Sequence, residues 1–159
     1  MKSEYIKYWK NSLGNPNDNS GKLYLYRRIK GNFKIEPYLK QVNKNKIRRA
    51  MTALRISSHS LEIERGRYAN KKGGPIDRKN RFCTLCRKQG FDNLGDEEHA
   101  LMVCPTFELE RKEVIENISN THPSFLRLNN YDKMVFMLKC EGECASYATK
   151  FIFNILSTP

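Results

Sequence analysis

Four residues between positions 83 and 104 have the types and the spacing of a metal site. Two residues separate Cys83 from Cys86, twelve separate Cys86 from His99, and four separate His99 from Cys104, which gives the pattern C-x2-C-x12-H-x4-C. Two thiolates three positions apart can hold one ion from a tight turn, and a His–Cys pair can complete the tetrahedron. Three cysteines and one histidine form closed structural zinc sites, which leave no open position for a catalytic water. The sequence therefore predicts one structural Zn²⁺, bound by those four side chains.

A redox pair formed by Cys83 and Cys86 is the alternative. A redox C-x-x-C motif usually lies at the start of a helix that follows a buried strand, and the residues before Cys83 show no strand pattern. Cys140 and Cys144 have no histidine or further cysteine nearby in the sequence, so they are interpreted as ordinary thiols. The odd total of five cysteines does not fit a secreted disulfide scaffold. We therefore expect a reducing compartment, nucleus or cytoplasm, rather than secretion.

The charge of the chain is strongly positive and unevenly distributed. The 29 lysines and arginines exceed the 17 aspartates and glutamates, which leaves a formal net charge of +12. Residues 1–82 hold 21 basic and 6 acidic side chains, a net of +15, whereas residues 83–159 hold 8 basic and 11 acidic, a net of −3. A basic half of this kind predicts a polyanionic partner, RNA or DNA in the first place. The alternative is that the cations only keep the chain soluble.

The segment 45–56 has the period of an amphipathic helix. Its apolar residues fall within one face about 100° wide: Ile47, Ala50, Met51 and Leu54. Three arginines fall outside that face and could contact phosphates: Arg48, Arg49 and Arg55. A solvated face beside a core stripe would produce the same pattern, so both interpretations stay open. The full set of predicted nucleic-acid contacts is Lys44, Lys46, Arg48, Arg49, Arg55, Arg65, Arg67, Lys71, Lys72, Arg78, Arg81, Arg87 and Lys88.

The periodicity predicts a mainly α-helical fold, with a basic helical N-terminal half, a small zinc-knuckle module and C-terminal helices. We expect four parts: a basic connecting region at 1–70, a loop at 71–82, the Cys3His module at 83–110, and helices at 111–159 packed on it. The clearest helix carries an i, i+3, i+4 apolar stripe formed by Cys144, Tyr147, Ala148, Phe151, Ile152 and Ile155. No run approaches the ~20 apolar residues of a membrane span, and the N-terminus lacks the apolar core of a signal peptide. No membrane partner is therefore predicted.

Several of these motifs occur together in a known arrangement. The run LRISSHSLEIERGRY, a basic Gly/Pro loop, and then RFCTLC and DEEHALMVCPTFELER resemble the C-terminal region of LINE-type (non-LTR) retrotransposon reverse transcriptases, downstream of the polymerase domain. In this resemblance the metal ligands fall on Cys83, Cys86, His99 and Cys104. The basic segment falls on Arg55, His59, Glu64, Arg65 and Arg67. The flanks are similar as well, from YIKYWKNSLGN to FMLKCEGECASYATKFIFNIL, so that the resemblance covers nearly the whole chain.

The resemblance implies that the chain holds element RNA and target DNA, with a reverse transcriptase polymerase domain as a partner. The chain has no Asp-Asp pair, so the polymerase signature is absent. Asp96, Glu97 and Glu98 precede a metal ligand and are interpreted as a helix N-terminal turn rather than as nuclease carboxylates. His59 is expected to serve a turn or a cap. No catalytic residue is predicted, and we do not expect an enzyme.

The predicted function is therefore a zinc-stabilised nucleic-acid-binding module. The alternative is a zinc-dependent adapter for protein–protein interaction, since zinc modules often serve as docking sites. The acidic second half favours the adapter, and so would an exposed position of Phe153 and Leu156, although burial of both in the core is expected.

Overall fold

The fold is mainly α-helical, as the sequence predicts. The computed structural model describes residues 2–15, 21–68 and 74–159. Within these ranges the α-helices are α1 (Lys2–Leu13), α2 (Tyr24–Ile29), α3 (Pro37–Gln41), α4 (Asn45–Arg55), α5 (Glu62–Tyr68), α6 (Thr84–Arg87), α7 (Glu108–Thr121), α8 (Asn130–Lys139) and α9 (Gly142–Ser157). One turn of π-helix spans His99–Val103. The described residues contain no strand beyond a single antiparallel bridge between Phe82 and Leu94.

The last helix, α9, packs against α3, α4, α7 and α8. Its buried side chains confirm the predicted apolar stripe, except that Tyr147 is half-buried: Cys144, Ala145, Ala148, Thr149, Phe151, Ile152 and Ile155. The stripe repeats at helical spacing, so all these side chains point into one core. Phe153 and Leu156 lie off the stripe and are half-buried against the same core, so neither forms a freely exposed apolar surface.

The segment that carries the four predicted ligands, residues 83–104, shares this core with the helices, and we call it the metal segment. Cys86 and Cys104 belong to the same cluster of buried residues as Leu25 of α2 and Ile155 of α9. The helical core and the metal segment are therefore held by one continuous set of apolar contacts. The predicted loop at 71–82 is described only from residue 74 onward, and Lys71 and Lys72 lie outside the described residues. None of the described helices has the length and apolar composition that a bilayer span requires.

Helix α4 confirms the predicted amphipathic pattern but corrects the position of Arg55. Ala50, Met51 and Leu54 are buried, as expected. Arg55 was predicted on the outer face, yet it is only 2% exposed. Its place at the end of α4 brings it under the C-terminal turn of α8, so that it faces protein rather than solvent.

Arg55 ties three elements together. Its Nη1 donates to the carbonyl of Leu138 near the end of α8, and its Nη2 lies 2.5 Å from Glu36 Oε2, just before α3. The guanidinium also lies over the ring of Tyr38, 5.2 Å from its centroid. Cations are favourable at helix C-termini, where carbonyl groups have no helical partner. Arg55 therefore stabilises the fold and is not available to a phosphate.

The two arginines of α4 provide a direct comparison. We expect Arg55→Ala to lower the free energy of unfolding by about 2–4 kcal/mol, because it leaves the Leu138 carbonyl without its partner at a buried position and leaves Glu36 with Lys30 alone. Arg49→Ala, at an exposed position of the same helix, is expected to change it by less than about 0.5 kcal/mol. Urea unfolding followed by circular dichroism measures both. Equal effects would contradict the structural role of Arg55.

Candidate metal centre

The structure brings the four predicted ligands to one point. The ligand atoms of Cys83, Cys86, His99 and Cys104 all lie within 4.8 Å of one another, so this cluster could hold a metal ion. Cys86 Sγ lies 3.3 Å from His99 Nε2 and 3.8 Å from Cys104 Sγ. A tetrahedral ion with metal–sulfur bonds of about 2.3 Å separates two sulfurs by about 3.8 Å. The donor set and its spacing therefore fit a tetrahedral ion.

The first ligand pair comes from a tight turn into a short helix. Cys83 immediately precedes α6, and its carbonyl accepts from the Arg87 amide at 3.0 Å. Cys86 lies inside α6, and its carbonyl accepts from the Phe91 amide at 3.0 Å. Gly90 follows with a φ of +86°, which side chains rarely allow. The chain thus turns back on itself, so that both sulfurs face the same point.

The second pair depends on the π-turn. Cys104 donates its amide to the His99 carbonyl at 2.7 Å, an i to i+5 bond. An H-x4-C spacing therefore places its two ligands at opposite ends of one such turn. Asp96 starts this turn, because its Oδ1 accepts from the His99 amide at 2.9 Å. This confirms the expected N-terminal role of Asp96 and fixes the backbone of His99 at the start of the turn.

Burial sets the protonation of the ligands. Burial raises the pKa of the Cys86 thiol to about 12 and lowers the pKa of His99. At neutral pH, without metal, Cys86 is a neutral thiol and His99 a neutral imidazole. A metal ion must therefore displace the Cys86 proton, whereas His99 is already in its ligating form.

Arg111 is part of this centre, and the sequence analysis missed it. It lies on α7 with 9% exposure, and its Nη1 donates to the Cys104 carbonyl at 2.8 Å. With a divalent ion bound, three thiolates would leave a net charge of −1, which the Arg111 guanidinium would offset. The sequence did contain a signal for the burial of Arg111, because it lies on the same face of α7 as the apolar residues Val114 and Ile118, at i, i+3 and i+7.

Arg81 and Gly95 fasten the metal segment to α5. Arg81 donates from Nη1 to the Ile63 carbonyl at 2.8 Å and from Nε to the Ile76 carbonyl at 2.9 Å. Ile63 in turn donates its amide to the Gly95 carbonyl at 3.0 Å. A Cβ on Gly95 would lie 2.9 Å from Glu62 Cβ, so that only glycine fits this close approach. Arg81 therefore serves docking, and its side chain is not presented to a phosphate.

A buried polar network lies next to the centre. Glu97, two residues before the ligand His99, has no exposed surface. Its Oε2 accepts from the Tyr24 hydroxyl at 2.8 Å, and its Oε1 lies 3.1 Å from His59 Nε2. Burial raises the pKa of Glu97, but the hydrogen bond with His59 outweighs this effect, so that the pKa of Glu97 is lowered. Burial and the Glu97 charge raise the pKa of Tyr24.

This network joins α2, the loop after α4 and the metal segment. His59 also accepts from the Leu61 amide at 3.3 Å, which agrees with the turn role expected for it. Its contact with Glu97 spans 38 positions in the sequence, and the contact of Tyr24 with Glu97 spans 73. Sequence periodicity carries no signal for such distant polar partners.

The predicted nucleic-acid contacts that the structure describes fall into two groups. Six have partners within the chain, either carboxylates or backbone and side-chain oxygens: Arg48, Arg55, Arg65, Arg67, Arg81 and Arg87. Of these, Arg65 and Arg87 stay 63% and 60% exposed in surface ion pairs, which are weak. Five are exposed and form no ion pair with any described residue: Lys44, Lys46, Arg49, Arg78 and Lys88. In this second group no carboxylate competes with a polyanion.

Comparison with protein-family models, with curated proteins and with solved structures finds no match to this chain.

Metal binding is expected to release protons. Thiols are mostly protonated at pH 7, and burial raises the pKa of Cys86 further, so Zn²⁺ should displace up to about three protons. The apparent affinity should fall as the pH falls, because protons then compete with the metal for sulfur. Calorimetry in two buffers of different ionisation enthalpy measures the proton count. Cys83→Ser should weaken Zn²⁺ binding strongly, and Cys140→Ser, outside the cluster, should not.

Arg111→Gln should weaken metal binding by about 10- to 100-fold, as the loss of an outer-shell partner does. Its neighbour Lys112 is exposed and pairs only with Glu108 among the described residues, so Lys112→Gln removes the same charge without touching the centre. Competition with a zinc chelator at pH 7 compares the two variants. Equal affinities would show that Arg111 does not support the ligands.

Proposed function

We propose that this chain is a nucleic-acid-binding module whose fold is stabilised by one Zn²⁺. Three thiolates select a soft ion, and a tetrahedral set with one imidazole suits zinc. Four protein ligands fill the tetrahedron, so the ion would be structural rather than catalytic. Free thiols as ligands also favour a reducing compartment, nucleus or cytoplasm. The proposed activity is binding, not turnover.

The observation that carries the proposal is that the positive charge of the first half is not neutralised within the chain. Four of its acidic residues are already used in local ion pairs: Glu36 with Arg55 and Lys30, Glu62 with Arg65, Glu64 with Arg67, and Asp77 with Lys79. An excess of exposed cations is left over. A nucleic-acid backbone is the partner that such a surface attracts.

The start of α4 concentrates this excess. Lys44 precedes the helix, and Lys46 and Arg49 are exposed one turn apart on one face. The first turn has no acidic residue, and no side chain caps it. The positive end of the helix dipole therefore adds to the three cations, an arrangement that favours phosphate.

The resemblance to the tail of LINE-type reverse transcriptases supports the same function. It implies that RNA and target DNA are the ligands and that a polymerase domain acts with the chain. The adapter alternative rested on the acidic second half and on an exposed position of Phe153 and Leu156, and the second support is lost, because both side chains are half-buried against the core. The surface charge therefore favours nucleic acid.

Binding should depend on salt, and the start of α4 should carry part of that dependence. We expect the triple variant Lys44→Gln, Lys46→Gln, Arg49→Gln to bind duplex DNA and RNA more weakly at all sequences. The slope of log K against log salt should become shallower by about 2–3 units, since each phosphate contact contributes about 0.9. Fluorescence anisotropy with labelled oligonucleotides over a salt series measures the slope.

A matched control removes the same charge elsewhere. Arg127, Lys139 and Lys150 are exposed in the second half of the chain, so Arg127→Gln, Lys139→Gln, Lys150→Gln lowers the net charge equally. This variant should keep most of the slope. If both triple variants make the salt slope shallower by the same amount, only the net charge matters and the start of α4 is not the contact surface. An affinity that is absent, or independent of salt, would overturn the proposed function.

A further inference from the structure

Two buried polar atoms beside helix α5 have no hydrogen-bond partner among the described residues. One is Oγ of Ser57, a residue without exposed surface, and the other is Oε2 of Glu64, a residue that is 3% exposed. A buried polar atom without a partner costs free energy, so folded proteins rarely leave one in place. Both side chains line one cavity, between the turn after α4 and helix α5. This cavity therefore contains hydrogen-bonding groups that the fold itself does not use.

The turn after α4 does not need the hydroxyl of Ser57. Ser57 has a φ of +50°, in the left-handed region that favours glycine, and is the one non-glycine residue with a positive φ in the described part of the chain. The turn is closed by backbone bonds, from the Ser57 amide to the Leu54 carbonyl at 3.2 Å and from the Ser58 amide to the Ala53 carbonyl at 2.7 Å. Glycine would make the same bonds with less strain and without a buried hydroxyl.

The cavity has the size and the composition of a site for a planar polar ligand. Its volume is about 560 Å³, within the range of small-molecule sites. Tyr68 also lines it, one helical turn beyond Glu64 on α5, and its side chain is 72% exposed. Flat rings stack on exposed tyrosines. One planar ligand could thus lie on Tyr68 while its edge reaches toward Glu64.

The charges around the cavity are nearly balanced. Each of the two carboxylates that line it has an ion-pair partner on α5: Glu62 with Arg65 and Glu64 with Arg67. His59 also lines the cavity, and its Nε2 is engaged by Glu97. The ammonium of Lys22 lies 5.8 Å from the centre of the Tyr68 ring and forms no ion pair with a described residue. A neutral ring with one negative group near Lys22 fits this balance better than a free anion does.

An unpaired nucleobase has these properties. Proteins that bind single-stranded loops stack the exposed bases on aromatic rings and bond their Watson–Crick edges. That edge presents donors and acceptors side by side. The Glu64 carboxylate can only accept, so it needs an N–H group, whereas the Ser57 hydroxyl can donate to an acceptor beside it. In a duplex the partner strand occupies the edge, so only an unpaired base can offer it.

We propose that this cavity holds one unpaired base of a bound nucleic acid by its Watson–Crick edge. Glu64 Oε2 accepts from an N–H group of the base, and Ser57 donates to the neighbouring acceptor. Tyr68 stacks on the ring, and Lys22 contacts the adjoining phosphate. Both unpartnered atoms are covered, so entry of the base requires side-chain rotation in the lining, which is common at interfaces. This inference rests on the proposed nucleic-acid function and adds to it a preference for unpaired segments.

A single methyl group tests the hydrogen bond to Glu64. Thymine donates through its N3–H group, and N3-methylthymine lacks this donor but keeps the ring and the backbone charge. The whole zinc-loaded protein should bind an oligonucleotide of N3-methylthymine about tenfold more weakly than unstructured oligo-dT of the same length. Fluorescence anisotropy measures both affinities. Equal affinities would overturn the inference.

Glu64→Gln should remove that difference. Because Arg67 donates from Nε to Glu64 Oε1, it would retain the amide oxygen and leave the amide NH2 in the place of Oε2. A donor would then face the N3–H group, so the affinity for oligo-dT should fall to that for the methylated strand. Glu113→Gln removes the same charge from an exposed position of α7 and should keep the tenfold difference. A difference that persists in Glu64→Gln would contradict the assigned acceptor.

Ser57→Gly separates binding from folding. The temperature of half-unfolding should stay the same or rise, since glycine adopts a φ of +50° easily and the unpartnered hydroxyl is removed. Binding of oligo-dT should nevertheless weaken about tenfold, while the affinity for a duplex of the same length stays unchanged. A hydroxyl with only a structural role would not produce this combination. Unchanged oligo-dT binding in Ser57→Gly would overturn the inference.

The outcomes distinguish this inference from the proposed function. If oligo-dT, its methylated form and the duplex bind equally, with a salt slope, the proposed function stands and the cavity holds no base. If no nucleic acid binds, both fail. If Glu64→Gln and Ser57→Gly weaken the single strand and the duplex by the same factor, the cavity does not recognise an unpaired edge and the inference is overturned.

Discussion

Holding three thiols and one imidazole within 4.8 Å of one another is the requirement on which the metal segment and its place in the core depend. As thiolates the three cysteine sulfurs repel one another, and burial makes their ionisation costly, as the raised pKa of Cys86 indicates. A divalent ion and the Arg111 guanidinium would offset that charge. Because Cys86 and Cys104 are also core residues, loss of the ion would disturb the apolar packing as well as the ligand turns. Metal binding and folding are therefore expected to be coupled.

The same core contains several buried charged side chains. Arg55, Glu64, Glu97 and Arg111 are each less than 10% exposed. Each has a partner on another element or one helical turn away: Glu36 and the Leu138 carbonyl, Arg67, Tyr24 with His59, and the Cys104 carbonyl. Such pairs add little net stability over apolar contacts, but removing one partner is costly. They hold the helices in one arrangement and use acidic residues that would otherwise neutralise the surface.

The buried partners also decide which cations remain at the surface. Arg55 and Arg81 donate to protein oxygens, whereas Lys44, Lys46 and Arg49 are exposed and form no ion pair with a described residue. These three cations lie at the start of α4, where the helix dipole adds to their charge. They are the surface on which the proposed nucleic-acid function rests.

The sequence by itself determined the members of the Cys/His cluster and the main helices, because the spacing within each Cys/His pair and the period of each helix are local properties. The two cysteines of a C-x2-C pair lie within one turn of the chain, and an H-x4-C pair spans one π-turn. The four residues can therefore be identified from the sequence alone. The stripes of α4 and α9 follow the helical period for the same reason. Only the tertiary structure decided the fate of Arg55 and Arg81, the supporting role of Arg111 and the network of Tyr24, His59 and Glu97. The hydrogen bond of Arg55 to Leu138 spans 83 positions, and that of Tyr24 to Glu97 spans 73. Whether a charged side chain faces water or a buried partner depends on such distant segments, which no local pattern records.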